Sequence, residues 1–288
     1  MKKYICTALA AAVLFSALMC GCGTKAESGK EDSKAETSVL SSDSDTKASD
    51  PTAATTGASG TAQSDLSPED FSEENGFIIY SKNGQPACET GIDVSSYNGD
   101  VDWERVKNAG ISFVMVRLGG RGYGDEGLLY ADDKAAEYIA GAQAAGLKTG
   151  GYFFSQAITP EEAREEAEYC RQLVGDLNLD YPIAYDWEII KDDEARTDDL
   201  TVEQATSCAR AFCDAVKGFG WQPMIYASDA EISKKYDMSL LSDIELWYSE
   251  YDAAYPSFPY AIGMWQYSKT AAVDGITGDA DLNLRFTG

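Results

Sequence analysis

The sequence predicts an α/β fold: a TIM-like barrel of eight strands with reduced helices in its last third, (β/α)5(β)3. Three observations predict it. Short apolar runs alternate with longer helical patterns, as in parallel strands joined by crossover helices. The helical patterns fade after Asp229 while strand-like runs continue. No nucleotide-type glycine loop follows the first strand, which disfavours the competing open, doubly wound sheet.

The strand candidates are Gly91–Val94, Ser112–Arg117, Thr149–Phe154, Pro182–Asp186, Gln222–Ala227, Glu245–Tyr248, Ala261–Gln266 and a final run near Asp281–Phe286. Helices are expected over Asp102–Asn108 and Ala131–Ala145, the second stopped by Gly146. Thr159-Pro160-Glu161-Glu162 opens a third, with a capping hydroxyl, proline at the first helical position and glutamate at the third. Thr201-Val202-Glu203-Gln204 opens a fourth, which runs to about Lys217. The run Leu118–Gly127, LGGRGYGDEG, has the composition of a phosphate loop without its GKS or GKT. It is read as a flexible rim loop.

The barrel accounts for 87–288, roughly 200 residues, which suits one domain. Before it, 69–86 contains Phe77-Ile78-Ile79-Tyr80 and is expected to pack as a short lead-in strand. Residues 22–68 are rich in Ser, Thr, Ala, Asp, Glu and Lys, too polar to offset the entropy of ordering, and read as a disordered tether. Residues 1–21 read as an export signal, with Lys2 and Lys3 ahead of an apolar run to Met19. That run is marginal for spanning a ~30 Å hydrocarbon core. It ends at Cys20 and Cys22, and Cys22, preceded by Gly21, is the better acceptor for a lipid, with Cys20 the alternative. The expected location is therefore the outer face of the cell membrane.

The formal charge is −25, from 48 acidic and 23 basic residues, with no histidine. Such a charge argues against nucleic acid as partner. The missing histidine removes Ser-His-Asp triads, Cys-His proteases and HExxH metal sites. Carboxylates, Lys and Tyr remain as acid–base groups. Zinc-type sites normally use histidine as well, so no metal is expected. A monomer is expected. Cys88, Cys170, Cys208 and Cys213 fall in the domain, and their pairing is open between buried thiols and bridges.

Chemistry concentrates at YPIAYDWEII. Residues two apart in a strand share a face, so Asp186 and Glu188 point into one cavity unless the strand ends between them, while Trp187 points away. In a barrel the C-terminal strand ends form the mouth of the site. Glycosidic cleavage needs a proton for the leaving oxygen and support for an oxocarbenium-like centre. Two close carboxylates raise the proton affinity of one of them. Glu188, with the longer reach, is the candidate acid, and Asp186 either tunes it or orients a 2-acetamido group. Taken alone, the pair also fits a salt-bridged strand end. Asp93, in GIDVSSY, brings another carboxylate from the end of the first strand, although alone it also fits a turn cap. Asp281 brings one from the last strand, which in a barrel lies beside the first. Tyr97, Tyr123, Tyr152, Tyr226, Trp247, Trp265 and Tyr267 are candidate sugar-stacking groups, and Gln266 a candidate hydrogen-bond partner. Arg117, at the end of the second strand, is a candidate partner for a mouth carboxylate.

Taken in order, GIDVSSYNGDVDWERVKNAGISFVMVR, AAGLKTGGYFFS, YPIAYDWE, GWQPMIYAS, IELWYSEY and MWQYSKTAAVDGITGDADLNLRF resemble glycoside hydrolase family 25, the lysozyme-type muramidases, over about 91–286. The resemblance implies cleavage of the β-1,4 bond between N-acetylmuramic acid and N-acetylglucosamine in peptidoglycan. It implies Asp93, Asp186, Glu188, Asp281 and Tyr226 as site residues, with Glu188 as acid, and no metal or organic cofactor. One mechanism proposed for the family uses the substrate acetamido group, a role that Asp186 suits. Two positions depart from many members. Phe153 stands where they carry a histidine, and Arg117-Leu118-Gly119-Gly120 where they have an acidic residue with glycine. Both are expected at the rim, where they bear on subsite preference. The alternatives are a catalytically weak peptidoglycan-binding lipoprotein and a hydrolase of another N-acetylhexosamine polymer.

Overall fold

The structure, a computed structural model, describes residues 61–191 and 193–287. The signal at 1–21, Cys20, Cys22 and nearly all of the tether lie outside the described residues. No helix among the described residues is long and apolar enough to cross a membrane.

The eight barrel strands are β1 (Cys88–Val94), β2 (Phe113–Arg121), β3 (Lys148–Phe154), β4 (Ile183–Asp186), β5 (Pro223–Ser228), β6 (Glu245–Ser249), β7 (Met264–Ala271) and β8 (Ala280–Phe286). They pair in the ring β1-β8-β7-β6-β5-β4-β3-β2, closed by β1 against β2. All neighbours are parallel except β8, which runs antiparallel to both β7 and β1. The helices are α1 (Trp103–Asn108), α2 (Ala135–Ala144), α3 (Pro160–Val174), α4 (Val202–Gly218) and α5 (Asp229–Lys235). Five helices on eight strands, none after β6, is the (β/α)5(β)3 pattern that the sequence predicts.

The expected caps form. Thr159 Oγ1 accepts from Glu162 N, and Thr201 and Gln204 close a capping box at α4. Alternation divides each strand between two cores. Phe113, Met115, Ala184, Met224, Tyr226, Trp247 and Met264 fill the barrel interior, while Ile92, Val114, Val116, Ile183, Tyr185, Ile225, Leu246 and Leu284 face the outer layer. Inside, small residues make room for large ones: a Cβ on Gly91 would stand 2.3 Å from the Phe113 ring.

The lead-in is more than one strand. Phe71–Glu74, Phe77–Lys82 and Gln85–Pro86 form an antiparallel sheet. Its two turns, Asn75-Gly76 and Asn83-Gly84, have positive φ at both residues (53° and 83°; 54° and 73°). Asn-Gly favours that hairpin turn. This sheet covers part of the wall where late helices are missing. The Phe71 ring lies 6.1 Å from Trp265 and 6.3 Å from Phe286, and Tyr80 lies 5.2 Å from Phe286.

The first four residues of the predicted rim loop are strand. Leu118–Arg121 extend β2, and Gly119–Arg121 pair with Leu129–Ala131 in a hairpin. A Cβ on Gly119 would meet the Tyr130 carbonyl at 2.2 Å, so this close approach needs glycine. Arg121 is buried, donating to Glu166 Oε1, the Gly127 carbonyl and Glu165 Oε2 at 2.8 Å each. The four described cysteines, Cys88, Cys170, Cys208 and Cys213, are free.

Candidate functional site

At the C-terminal end of β1–β7, a cavity of about 350 Å³ is lined by Asp93, Tyr152, Asp186, Glu188, Tyr226, Trp247, Tyr251, Gln266, Lys269 and Asp281. β8 reaches the same rim with its N-terminal end, because it runs the other way. Its register sets Asp281 opposite Asp93.

Asp93 organises one side. Only 7% exposed, its Oδ1 accepts from Gln266 Nε2 at 2.8 Å and from Asn283 Nδ2 at 2.7 Å. Each amide is held in turn. Trp247 Nε1 donates to Asn283 Oδ1 at 2.8 Å. The hydroxyls of Tyr226 and Tyr251 both donate to Gln266 Oε1 at 2.7 Å. Burial raises the proton affinity of Asp93, while the two amides and Asp281 favour its charged form. Asp281, half-buried beside it, is pushed up to about 8 by burial and by the Asp93 charge, with Lys269 opposing. Asp93 and Asp281 therefore share a proton that two free aspartates would release.

Asp186 ends β4, 6% exposed. Burial pushes it well above the usual carboxylate range, and the charges of Glu188 and Asp93 push it further. Its Oδ1 has no hydrogen-bond partner among the described residues. Glu188 lies just beyond the strand, on the mouth. The protein around it raises its proton affinity first, then the charges of Glu231 and Asp93; Lys191 and Lys269 oppose. Its side chain remains open to water, which moderates that shift. Both carboxyls thus favour the protonated form more than free Asp or Glu does.

Eight of the sequence candidates meet in this cavity: Asp93, Asp186, Glu188, Asp281, Tyr152, Tyr226, Trp247 and Gln266. Four do not. Trp265 is fully buried on the outer side of the wall, its Nε1 donating to the Glu250 carbonyl at 3.0 Å. It alternates with inward Gln266 and cannot share its face, and neither can Tyr267, buried beside it with ring centroids 5.3 Å apart. Tyr97 stands on the turn after β1, 88% exposed, with the Arg117 guanidinium 4.8 Å over its ring. Tyr123 is exposed on the hairpin loop and is absent from the cavity lining. Arg117 pairs at 2.7 Å with Asp132, not with a mouth carboxylate. Asp132 also accepts Ser96 N, which ties down the Tyr97 turn. Phe153, expected at the rim, is instead fully buried against Tyr169 of α3. Sequence reasoning missed Tyr251, Lys269 and Asn283. Asn283 was accessible to it, since it follows Asp281 by two residues on one strand.

The family described as Glycosyl hydrolases family 25 matches residues 92–276. An autolytic lysozyme of Clostridium acetobutylicum is 32% identical over 193 residues, 67% of this chain and 54% of that protein. The modular autolysin LytC from Streptococcus pneumoniae superposes with a TM-score of 0.60 at 24% identity, over 75% of this chain and 52% of that one. A bacterial lysozyme from Streptomyces coelicolor gives 0.59 at 25% identity, over 69% and 92%. The chain thus spans about half the length of the first two relatives.

The Asp93–Asp281 pair carries a pH signature. Unfolded, Asp281 releases its proton near the ordinary 3.8; folded, near 8. Between these values the folded chain holds the extra proton, so its stability contribution falls as pH rises towards 8. Asp281→Asn, uncharged throughout, removes that dependence. Thermal unfolding at pH 5, 6.5 and 8 should show the variant gaining on the wild type at each step. A constant difference would contradict the shared proton.

Proposed function

The chain belongs to glycosyl hydrolases family 25, and on that premise we propose that it hydrolyses the β-1,4 bond between N-acetylmuramic acid and N-acetylglucosamine in peptidoglycan. The observation that carries the reading is the meeting of Asp186 and Glu188, both biased towards their protonated forms, with Asp93 and Asp281 in one mouth.

Glu188 is the proton donor. Its carboxyl proton passes to the glycosidic oxygen as the bond from C1 breaks, and the leaving sugar departs with its hydroxyl. The acetamido oxygen of the sugar that carries C1 closes on that carbon. Asp186 orients that acetamido group, its unpartnered Oδ1 accepting the substrate N–H as the ring closes. Water then attacks C1 as the bond from C1 to the acetamido oxygen breaks and the acetamido group reforms, and the water loses its proton to the Glu188 carboxylate, which restores the acid. Asp93 and Asp281 set the field of the site. Tyr152, Tyr226 and Trp247 give the sugar an aromatic wall, with the Tyr152 hydroxyl as a donor. Tyr97 and Tyr123, at the rim, are proposed to meet sugars further along the strand. Protein residues suffice for each step, and no metal or organic cofactor is invoked.

We also propose that the chain is exported, monomeric and lipid-anchored through Cys22, or Cys20. The polar tether would hold the barrel at 87–288 off the outer face of the membrane and let it reach glycan. The support is the order of charged, apolar and small residues before Cys22.

Glu188→Gln removes the proton and keeps the shape. Clearing of peptidoglycan suspensions should slow by about 10²–10⁴-fold, while sedimentation with the polymer persists. Wild-type turnover in the variant would refute the role of Glu188. Replacing Cys22 by Ala should abolish metabolic labelling by a fatty-acid analogue; retained labelling would move the anchor to Cys20.

A further inference from the structure

Glu188 lies beyond the last paired residue of β4, so sheet hydrogen bonds do not fix it. The neighbouring α5 grips the chain on either side of it. At the start of α5, Glu231 closes a capping box: Oε2 accepts Ser228 N at 3.0 Å and the Ser228 hydroxyl. Its other oxygen, Oε1, accepts Ile189 N at 3.4 Å. Beyond the far end of α5, the Tyr236 ring meets Trp187 edge-on, 6.1 Å between centroids. Lys235 Nζ stands 5.8 Å over the same indole and donates to the Asp198 and Leu200 carbonyls at 3.0 and 2.9 Å. Trp187 and Ile189, the two neighbours of Glu188, are thus both held by one short segment.

Glu231 is buried, 6% exposed. Its hydrogen-bond partners here are neutral, two backbone N–H groups and a hydroxyl, so they orient the carboxylate without cancelling its charge. Glutamine satisfies a capping box as well as glutamate does. The helix cap alone therefore does not account for a buried charge at this position.

We propose that Glu231 is a positioning residue for Glu188: it anchors the adjacent backbone through Ile189 and presents a negative charge to the mouth from behind. This rests on the reading of Glu188 as proton donor. The groups that face or bear on Glu188 are Asp93 of β1, Asp186 of β4, Tyr226 of β5, Lys269 of β7, Asp281 of β8, Lys191 and Tyr251 on loops, and Glu231 itself. The charge of Glu231 acts in the same direction on Asp186. Removing it lowers the proton affinity of Glu188, so less of the acid form remains at a given pH.

The test is Glu231→Gln in the full chain, with Glu231→Asp beside it to keep the charge. Two readouts are taken: the pH profile of kcat/KM on peptidoglycan, and the carboxyl-carbon NMR titration of Glu188, assigned by its loss in Glu188→Gln. In Glu231→Gln the alkaline limb and the Glu188 midpoint should move to lower pH by about half a unit or more. Glu231→Asp should stay closer to the wild type. An unmoved Glu188 midpoint in folded Glu231→Gln overturns the proposal, even if kcat falls. If the wild type cleaves nothing, the functional reading fails separately, and the NMR midpoint still decides the coupling.

Discussion

A carboxylate withdrawn from water at the seam of a barrel has to be given donors, and at Asp93 that need shapes much of the mouth. Gln266 and Asn283 supply the N–H groups. Tyr226 and Tyr251 hold the first amide, and Trp247 holds the second. Side chains from β1, β5, β6, β7 and β8 and the loop after β6 are locked into one network around a single oxygen. The reversed direction of β8 makes this possible. Only a strand antiparallel to β1 brings its first residues, Asp281 and Asn283, to the end where parallel strands finish. The antiparallel closure of this barrel thus sets which side chains line the mouth.

The same crowding governs the proton inventory. Asp93, Asp186, Glu188 and Asp281 share a small volume in a chain of charge −25. Like charges so close do not all ionise together. Asp93 has donors that oppose the upward push of burial, and Asp281, beside its charge, is pushed up to about 8. Asp186 is buried, has an oxygen with no partner among the described residues, and favours the acid more than a free aspartate does. Glu188 combines raised proton affinity with open access. Of the four, it is the one suited to meet a substrate oxygen with a proton.

Much of this was legible because strands alternate. Period two, applied at YDWE, separates Asp186 from Trp187 correctly. The same rule separates Trp265 from Gln266 at MWQY and leads from Asp281 to Asn283 on the last strand. Phe153 fails for the same reason: its neighbour Tyr152 takes the inward side. The Asn-Gly turns at 75–76 and 83–84 announce hairpins that composition alone passed over. Other features lay beyond local reasoning. The pairing of Arg117 with Asp132 depends on where the β2 hairpin returns, and the extension of β2 through Gly119 depends on Tyr130 packing over it. Glu231 reads as an ordinary helix cap until its second oxygen is seen to reach Ile189.

The central claim is chemical: this mouth delivers a proton to one particular glycosidic oxygen. The most direct test is mass spectrometry of the fragments released from purified peptidoglycan, asking which sugar carries each new reducing end. The account predicts N-acetylmuramic acid at every new end. New ends carrying N-acetylglucosamine would mean that the enzyme cuts the other linkage, and an absence of new ends would contradict catalysis on this polymer altogether.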